Sequence, residues 1–369
     1  MRWWILCLTF GPFSLHNTIP MLRRLLSTLL LLSLCVGLRA ADATAFRAML
    51  DSYYEEYLAM FPIDAAINGD NDPRYEAVWP NDISDEHRAK VAAMCDLYLA
   101  ALAKVDRAAL SETDRLSHDT LKWSLEIRRE GTKQIFALMP VNQYNSPHLT
   151  FAQMASGSSV HPFNTAQDFR NFLARASGFS TWVDTAIATM RKGSAQGLTQ
   201  PRILMERVLK QLEPLMADDP DANILFAPLK KLPDSLSAAE HDALAKEYTE
   251  GVRTIMLPAC ARLHAYIRDE YLARCRETAG IGALPGGKEA YAFTVRSQTT
   301  TSMTPEEIHQ LGLKEVARIR SEMSKVQMQV GFKGTLAEFL TWVASIRNSR
   351  PSSPTRSCST PTGPLRAGS

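Results

Sequence analysis

From Ser84 onward, apolar side chains recur every three to four residues, and the runs that carry them open on one short signal. Ser84-Asp-Glu-His precedes a long amphipathic run. Ser111-Glu-Thr-Asp114 precedes Leu116, Leu121 and Leu125, and Thr165-Ala-Gln-Asp168 opens a segment reaching Met190. Ser237-Ala-Ala-Glu240 opens a run through Leu244, Tyr248, Val252 and Ile255, while Thr304-Pro305-Glu-Glu307 and Thr335-Leu-Ala-Glu338 repeat the pattern. In each, the hydroxyl can accept from a free N–H of the first helical turn, and the acid can bond back or sit favourably at the positive end of the dipole. Pro305 falls at the first helical position, where its missing N–H is no loss. These signals in series predict a mainly α fold, an array of long antiparallel helices with at most a few short strands. Gln134–Met139 and the threonine-rich Phe293–Thr301 are the expected strands. Asn68-Gly-Asp-Asn-Asp-Pro73, Asp218-Asp-Pro220 and Pro285-Gly286-Gly287 mark turns.

The two ends follow a different pattern. Met21-Leu-Arg23-Arg24, the apolar run Leu25–Leu38 and the small residues Ala40-Ala41 before Asp42 form a secretory signal peptide. The run is about 14 residues, short of the roughly 20 that span a bilayer. Met21 begins a complete signal by itself, so it is the expected start, with cleavage near Ala40 or Ala41 and no stable membrane span afterwards. The mature chain is then periplasmic or secreted. Beyond Trp342 the periodicity dissolves into Ser, Pro, Thr and Arg. The expected organisation is a leader over 1–40, a helical domain over 41–344 and a disordered tail over 345–369, whose text resembles a gene read out of frame.

Composition narrows the function classes. Hydrophobic residues make up 46% and charged residues 22% of the chain, which is a globular balance. The formal charge of +2 conceals a net acidic body, because four arginines lie in residues 1–40 and four in 345–369, with no acid in either stretch. No nucleic-acid partner is therefore expected. Cys95, Cys260 and Cys275 form no CxxC. On one continuous helix Cys260 and Cys275 would stand about 22 Å apart, too far to pair, and buried free thiols are the expectation. None of the eight histidines is followed by Glu, and no HExxH, GxSxG or GxxxxGK[ST] occurs. Three features can line a cleft: the polar-aromatic loop with Asn142, Gln143 and His148; Tyr291 after Leu284-Pro-Gly-Gly287; and His309, one turn inside the Thr304 helix. A peptide or small-molecule ligand is the partner class such groups suit.

The order of these segments resembles the bacterial family known as domain of unknown function 885. It is carried by Asp51-Ser-Tyr-Tyr54, Ser111–Asp119, Val141-Asn-Gln143 with Pro147-His148, and Pro201–Val208. The most specific stretch runs from Leu284-Pro-Gly-Gly-Lys-Glu-Ala-Tyr291 through Thr299-Thr-Thr301 to Thr304–Val316. The resemblance implies a mostly helical zinc metallohydrolase of the peptidase type. In full-length members an HExxPGH-like helix downstream of the segment matching Gly331–Thr335 would hold zinc through two histidines, with its glutamate activating water. This sequence contains no such helix, so no catalytic residue, no metal ligand and no cofactor is expected in it, and the C-terminal half of the family fold is expected to be missing. The chain is read as a truncated, inactive relative of an exported zinc peptidase-like hydrolase, with a non-enzymatic periplasmic binding protein as the alternative.

Overall fold

The computed structural model describes residues 43–69 and 72–349, and they are mostly helical. Among them there is no strand, only an isolated parallel bridge between Pro201 and Arg276. The expected signal segment and residues 350–369 of the expected tail lie outside the described residues. A helix over residues 43–60 (α1) leads to α2 (Pro62–Ile67), α3 (Pro73–Glu76), α4 (Asp85–Leu102), α5 (Glu112–Gly131), α6 (Pro147–Met154), α7 (Ala166–Ala195) and α8 (Arg202–Leu212). Then come α9 (Ala238–Gly251), α10 (Leu257–Tyr266), α11 (Gly287–Thr299), α12 (Pro305–Gln329) and α13 (Leu336–Ser349). Two compact units share the chain, one ending at Tyr291 and the other beginning at Ala292.

All six start signals cap helices. Ser84 and Ser111 accept from the backbone N–H of His87 and Asp114, both at 3.1 Å. Thr165, Ser237 and Thr304 close reciprocal capping boxes with Asp168, Glu240 and Glu307, and Thr335 does the same with Glu338. α13 runs on to Ser349, past the boundary expected at 344.

Both expected strands are helical instead. Ile135–Leu138 forms a 3₁₀ turn, and Phe293–Thr299 is the second half of α11. β-Branched residues favour a strand only where a partner strand lies alongside; here none does. The turn before α11 sets a helix going. Gly286 takes φ +67, and a Cβ on Gly287 would strike the Ile281 carbonyl. Thr299 then bonds back to the Val295 carbonyl at 2.9 Å. Cys95, Cys260 and Cys275, the cysteines among the described residues, are as expected buried and free.

The core of the first unit gathers on α7, whose Phe169, Phe172, Phe179, Trp182, Val183, Ala186 and Met190 are fully buried. Along one face, Asn171, Arg175, Gly178 and Trp182 recur at helical spacing and hold the irregular segment 75–82. Asn171 Nδ2 donates to Glu76 at 3.0 Å and Trp182 Nε1 to Asp82 at 2.9 Å. The Arg175 guanidinium, buried and lowered to about 10 by burial, donates to the carbonyls of Tyr75 (3.0 Å) and Val78 (3.2 Å). It also donates to His161 Nδ1 at 2.9 Å. At Gly178 the segment comes so close that a Cβ would lie 2.7 Å from the Trp79 carbonyl.

α9 and α10 belong to one long rod that runs on to Arg274. Val252–Met256 forms a π turn between them, and a second π turn, Ile267–Tyr271, follows α10. Pro258 lacks an N–H, and its ring crowds the carbonyl four residues back; the wider turn just before it relieves that conflict without ending the helix. Leu244, Tyr248, Val252, Met256 and Cys260 all face the core.

Candidate functional site

The loop between Met139 and Pro147 is positioned by two glutamines. Gln200, just before α8, donates from Nε2 to the carbonyls of Met139 and Val141, both at 3.1 Å. Gln211, in the last turn of α8, donates from Nε2 to the Gln143 carbonyl at 2.9 Å. Its Oε1 is thereby left to accept from His148 Nε2 at 3.2 Å. The other ring nitrogen of His148 accepts from the Ser146 hydroxyl at 3.0 Å. The imidazole is fully buried, and burial pushes it down to about 4. With both nitrogens engaged and the ring neutral, His148 fixes the loop and has no lone pair free to take a substrate proton.

Asn142 is likewise occupied by the loop itself. Its Oδ1 accepts from the N–H groups of Tyr144 (2.9 Å) and Asn145 (2.7 Å), and its Nδ2 donates to the Asn145 carbonyl at 2.7 Å. This staple is the local competition of a short amide side chain with regular structure. It turns Tyr144 outward, 88% exposed. Gln143 is half-buried, with its side-chain oxygen enclosed. Thus Asn142 and Gln143 lie on one loop, and His148 lies in the first turn of α6 that follows it. Tyr291, in α11, is exposed and makes no hydrogen bond to that loop among the described residues. His309 is an exposed residue of α12, in the second unit.

Beside the loop lies a cavity of about 200 Å³. Its walls come from Phe61, Ile63 and Ile67 around α2, from Trp79 and Pro80, and from Pro147 and Thr150 of α6; Asp64, Asp82 and Asn145 complete it. Sequence reading missed Asp64, Asp82, Trp79 and Gln211, which sit in no motif. The two aspartates follow aliphatic or amide neighbours in unremarkable text. A zinc ion of the kind the resemblance implies finds no ligand set here: among the described residues, no group of three His, Cys, Asp or Glu side chains comes together. No helix among them is long and apolar enough to cross a membrane.

Comparison with known proteins places the chain. No curated protein matches it. A solved structure, "The crystal structure of the putative lipoprotein from Colwellia psychrerythraea", is similar at a TM-score of 0.65 and 18% identity, over 80% of this chain and 53% of that one. At that identity the likeness is one of fold, and the chain spans about half the length of that protein. A family model, described as bacterial protein of unknown function (DUF885), matches residues 62–357. The order of motifs, the capped helical array and this match agree, and the chain belongs to the DUF885 family.

Proposed function

We propose that this chain furnishes the N-terminal helical body of an exported hydrolase of the zinc-peptidase type, and that it does not cleave substrate by itself. The observation that carries the reading is the bare face of the second unit. α12 buries none of its residues, and Val316, Ile319, Met323, Val326 and Val330 line one exposed stripe at alternating spacings of three and four. α13 adds exposed Leu340, Trp342, Val343 and Ile346. An apolar stripe of this length is stable in water only when another apolar surface covers it. The occupant we assign is further helical chain of the same family fold, corresponding to the part of the solved neighbour that this chain does not match. The resemblance puts the zinc helix in that downstream part, with two histidines as ligands and a glutamate to activate water. The helices described above would then act as scaffold and cleft wall, and the ligand would be a peptide or a small molecule.

The test is elemental analysis and a peptidase assay. The purified chain is expected to hold well under stoichiometric zinc and to show no chelator-sensitive peptide cleavage. Fusion to the C-terminal part of a relative that carries the zinc helix is expected to supply both. Tight stoichiometric zinc in the chain alone would overturn the proposal.

A further inference from the structure

The stripe on α12 keeps a narrower pattern than a helix facing a globular core needs. Val316, Ile319, Met323, Val326 and Val330 follow at spacings of three, four, three and four, the repeat of a coiled-coil seam. All five are exposed. His309 and Gly312 stand where the seam would continue toward the start of the helix, so it spans about 21 Å, at 1.5 Å per residue. A helix of this length with no buried residue lacks the tertiary packing that usually stabilises one in water. The positions beside the seam are polar and uneven in charge. Glu315 and Glu322 flank it on one side, Arg320 and Gln327 on the other. Glu315 reaches along its own helix to Arg318 at 2.7 Å, and Glu322 to Lys325 at 2.8 Å. Exposed pairs of that kind are weak and exchange at little cost. Arg320 is exposed and forms no ion pair among the described residues.

We propose that the chain by itself pairs with a second copy through α12, the two helices parallel and in register, with Glu315 of each copy facing Arg320 of the other. A second copy supplies an identical seam, and the flanking charges choose the direction. In a parallel pair, each residue on the acidic flank faces the residue five places on in the other helix. Glu315 then meets Arg320 twice, once on each side of the two-fold axis, and Glu322 meets Gln327. In an antiparallel pair like flanks meet, which sets glutamates against glutamates and arginine against arginine. Ile319 and Val326 are β-branched at positions where that shape also suits three strands, so the mass of the assembly is part of the test. Further chain of the family fold, assigned to the same stripe above, would compete with the second copy. The inference therefore rests on the stripe being a surface that is covered, and not on zinc.

Sedimentation equilibrium of the full chain tests the stoichiometry, and a monomer–dimer equilibrium in the micromolar range is expected. Val316→Cys and Val330→Cys, made singly and oxidised, test the direction. Both are expected to give disulfide-linked dimer beyond that of the native chain treated alike, because a parallel pair in register brings each position to its own copy. An antiparallel pair can do so at one of them at most. Arg320→Glu is expected to weaken the dimer about tenfold, as two attractions become repulsions, and adding Glu315→Lys to it is expected to restore most of that loss. A chain that stays monomeric, a trimer or larger assembly, linkage at only one cysteine position or at neither, or no recovery in the double variant would each overturn the proposal. Zinc content and peptide cleavage are read separately, so a monomeric chain would leave the peptidase reading standing, and stoichiometric zinc in the chain alone would leave the dimer standing.

Discussion

His148 and His161 are buried imidazoles whose protonation would cost the fold stability. Both rings are buried, both nitrogens of each are engaged, and burial pushes each down to about 4 from an ordinary value near 6.5. The unfolded chain therefore takes up protons more readily than the folded one between those values. The stability held by the neutral rings is complete above about pH 6.5, declines as pH falls through the window, and levels off below about pH 4, a loss on the order of 3 kcal/mol per ring. Urea unfolding at a series of pH values is expected to show the midpoint falling between about pH 6.5 and pH 4.5, with part of the slope removed in His148→Gln. A flat profile in that range would contradict the buried neutral assignment. For His161 the cost is sharpened by Arg175, whose guanidinium donates to the same ring; a second proton there would set two cations face to face. The sequence placed His148 in a polar-aromatic loop and suggested a cleft-lining imidazole. The structure puts His148 in the first turn of α6 instead, sealed in, and the partner that seals the ring, Gln211, lies in another helix and carries no signal in the text.

Among the elements, α7 decides how the irregular segment 75–82 is held, and Gly178 is where it is held most tightly. A Cβ at Gly178 would meet backbone, the Trp79 carbonyl at 2.7 Å and the Trp79 Cβ at 2.9 Å. Gly178→Ala is expected to destabilise the first unit by about 1–3 kcal/mol in urea unfolding, despite the roughly 1 kcal/mol that alanine gains in a helix. Gly251→Ala is the informative contrast, since its new methyl would meet the flexible tip of Leu173 rather than backbone; equal losses at the two sites would refute the distinction. The helices themselves were legible because their starts are local: at all six a hydroxyl accepts from an N–H of the first turn, and at five an acid three residues on bonds back to the capping residue. The strands were misread because threonine and phenylalanine in Phe293–Thr301 report only a side-chain preference. What overrides it is the geometry of Gly286-Gly287 and the lack of a partner edge.

For the whole molecule, the bare stripe of the second unit is expected to set behaviour in solution. Ile319→Glu with Val326→Glu is expected to reduce apolar-dye binding and self-association on sedimentation while leaving the urea midpoint of the first unit in place. Unchanged dye binding would mean the stripe is not the exposed surface that matters. Membership of the family was legible because the order of segments survives without any one of them being decisive. The cavity was not legible, because Asp64, Trp79, Asp82 and Thr150 reach it from separate elements and only folding brings them to one wall. A last consequence comes from the rod between Ala238 and Arg274. Its core residues Leu244, Tyr248, Val252, Met256 and Cys260 return every four residues, whereas an ordinary helix returns every 3.6 and would let the face drift by about 40° at each step. Between Val252 and Met256 the wide turn takes up that drift, which makes it a place where inheritance can remove a residue with little effect. Loss of one residue within Val252–Met256 tightens the turn and leaves every later side chain facing as before. The same loss within α10 swings all that follows by about 100° and pulls the Tyr271 hydroxyl from the Gln200 N–H it accepts.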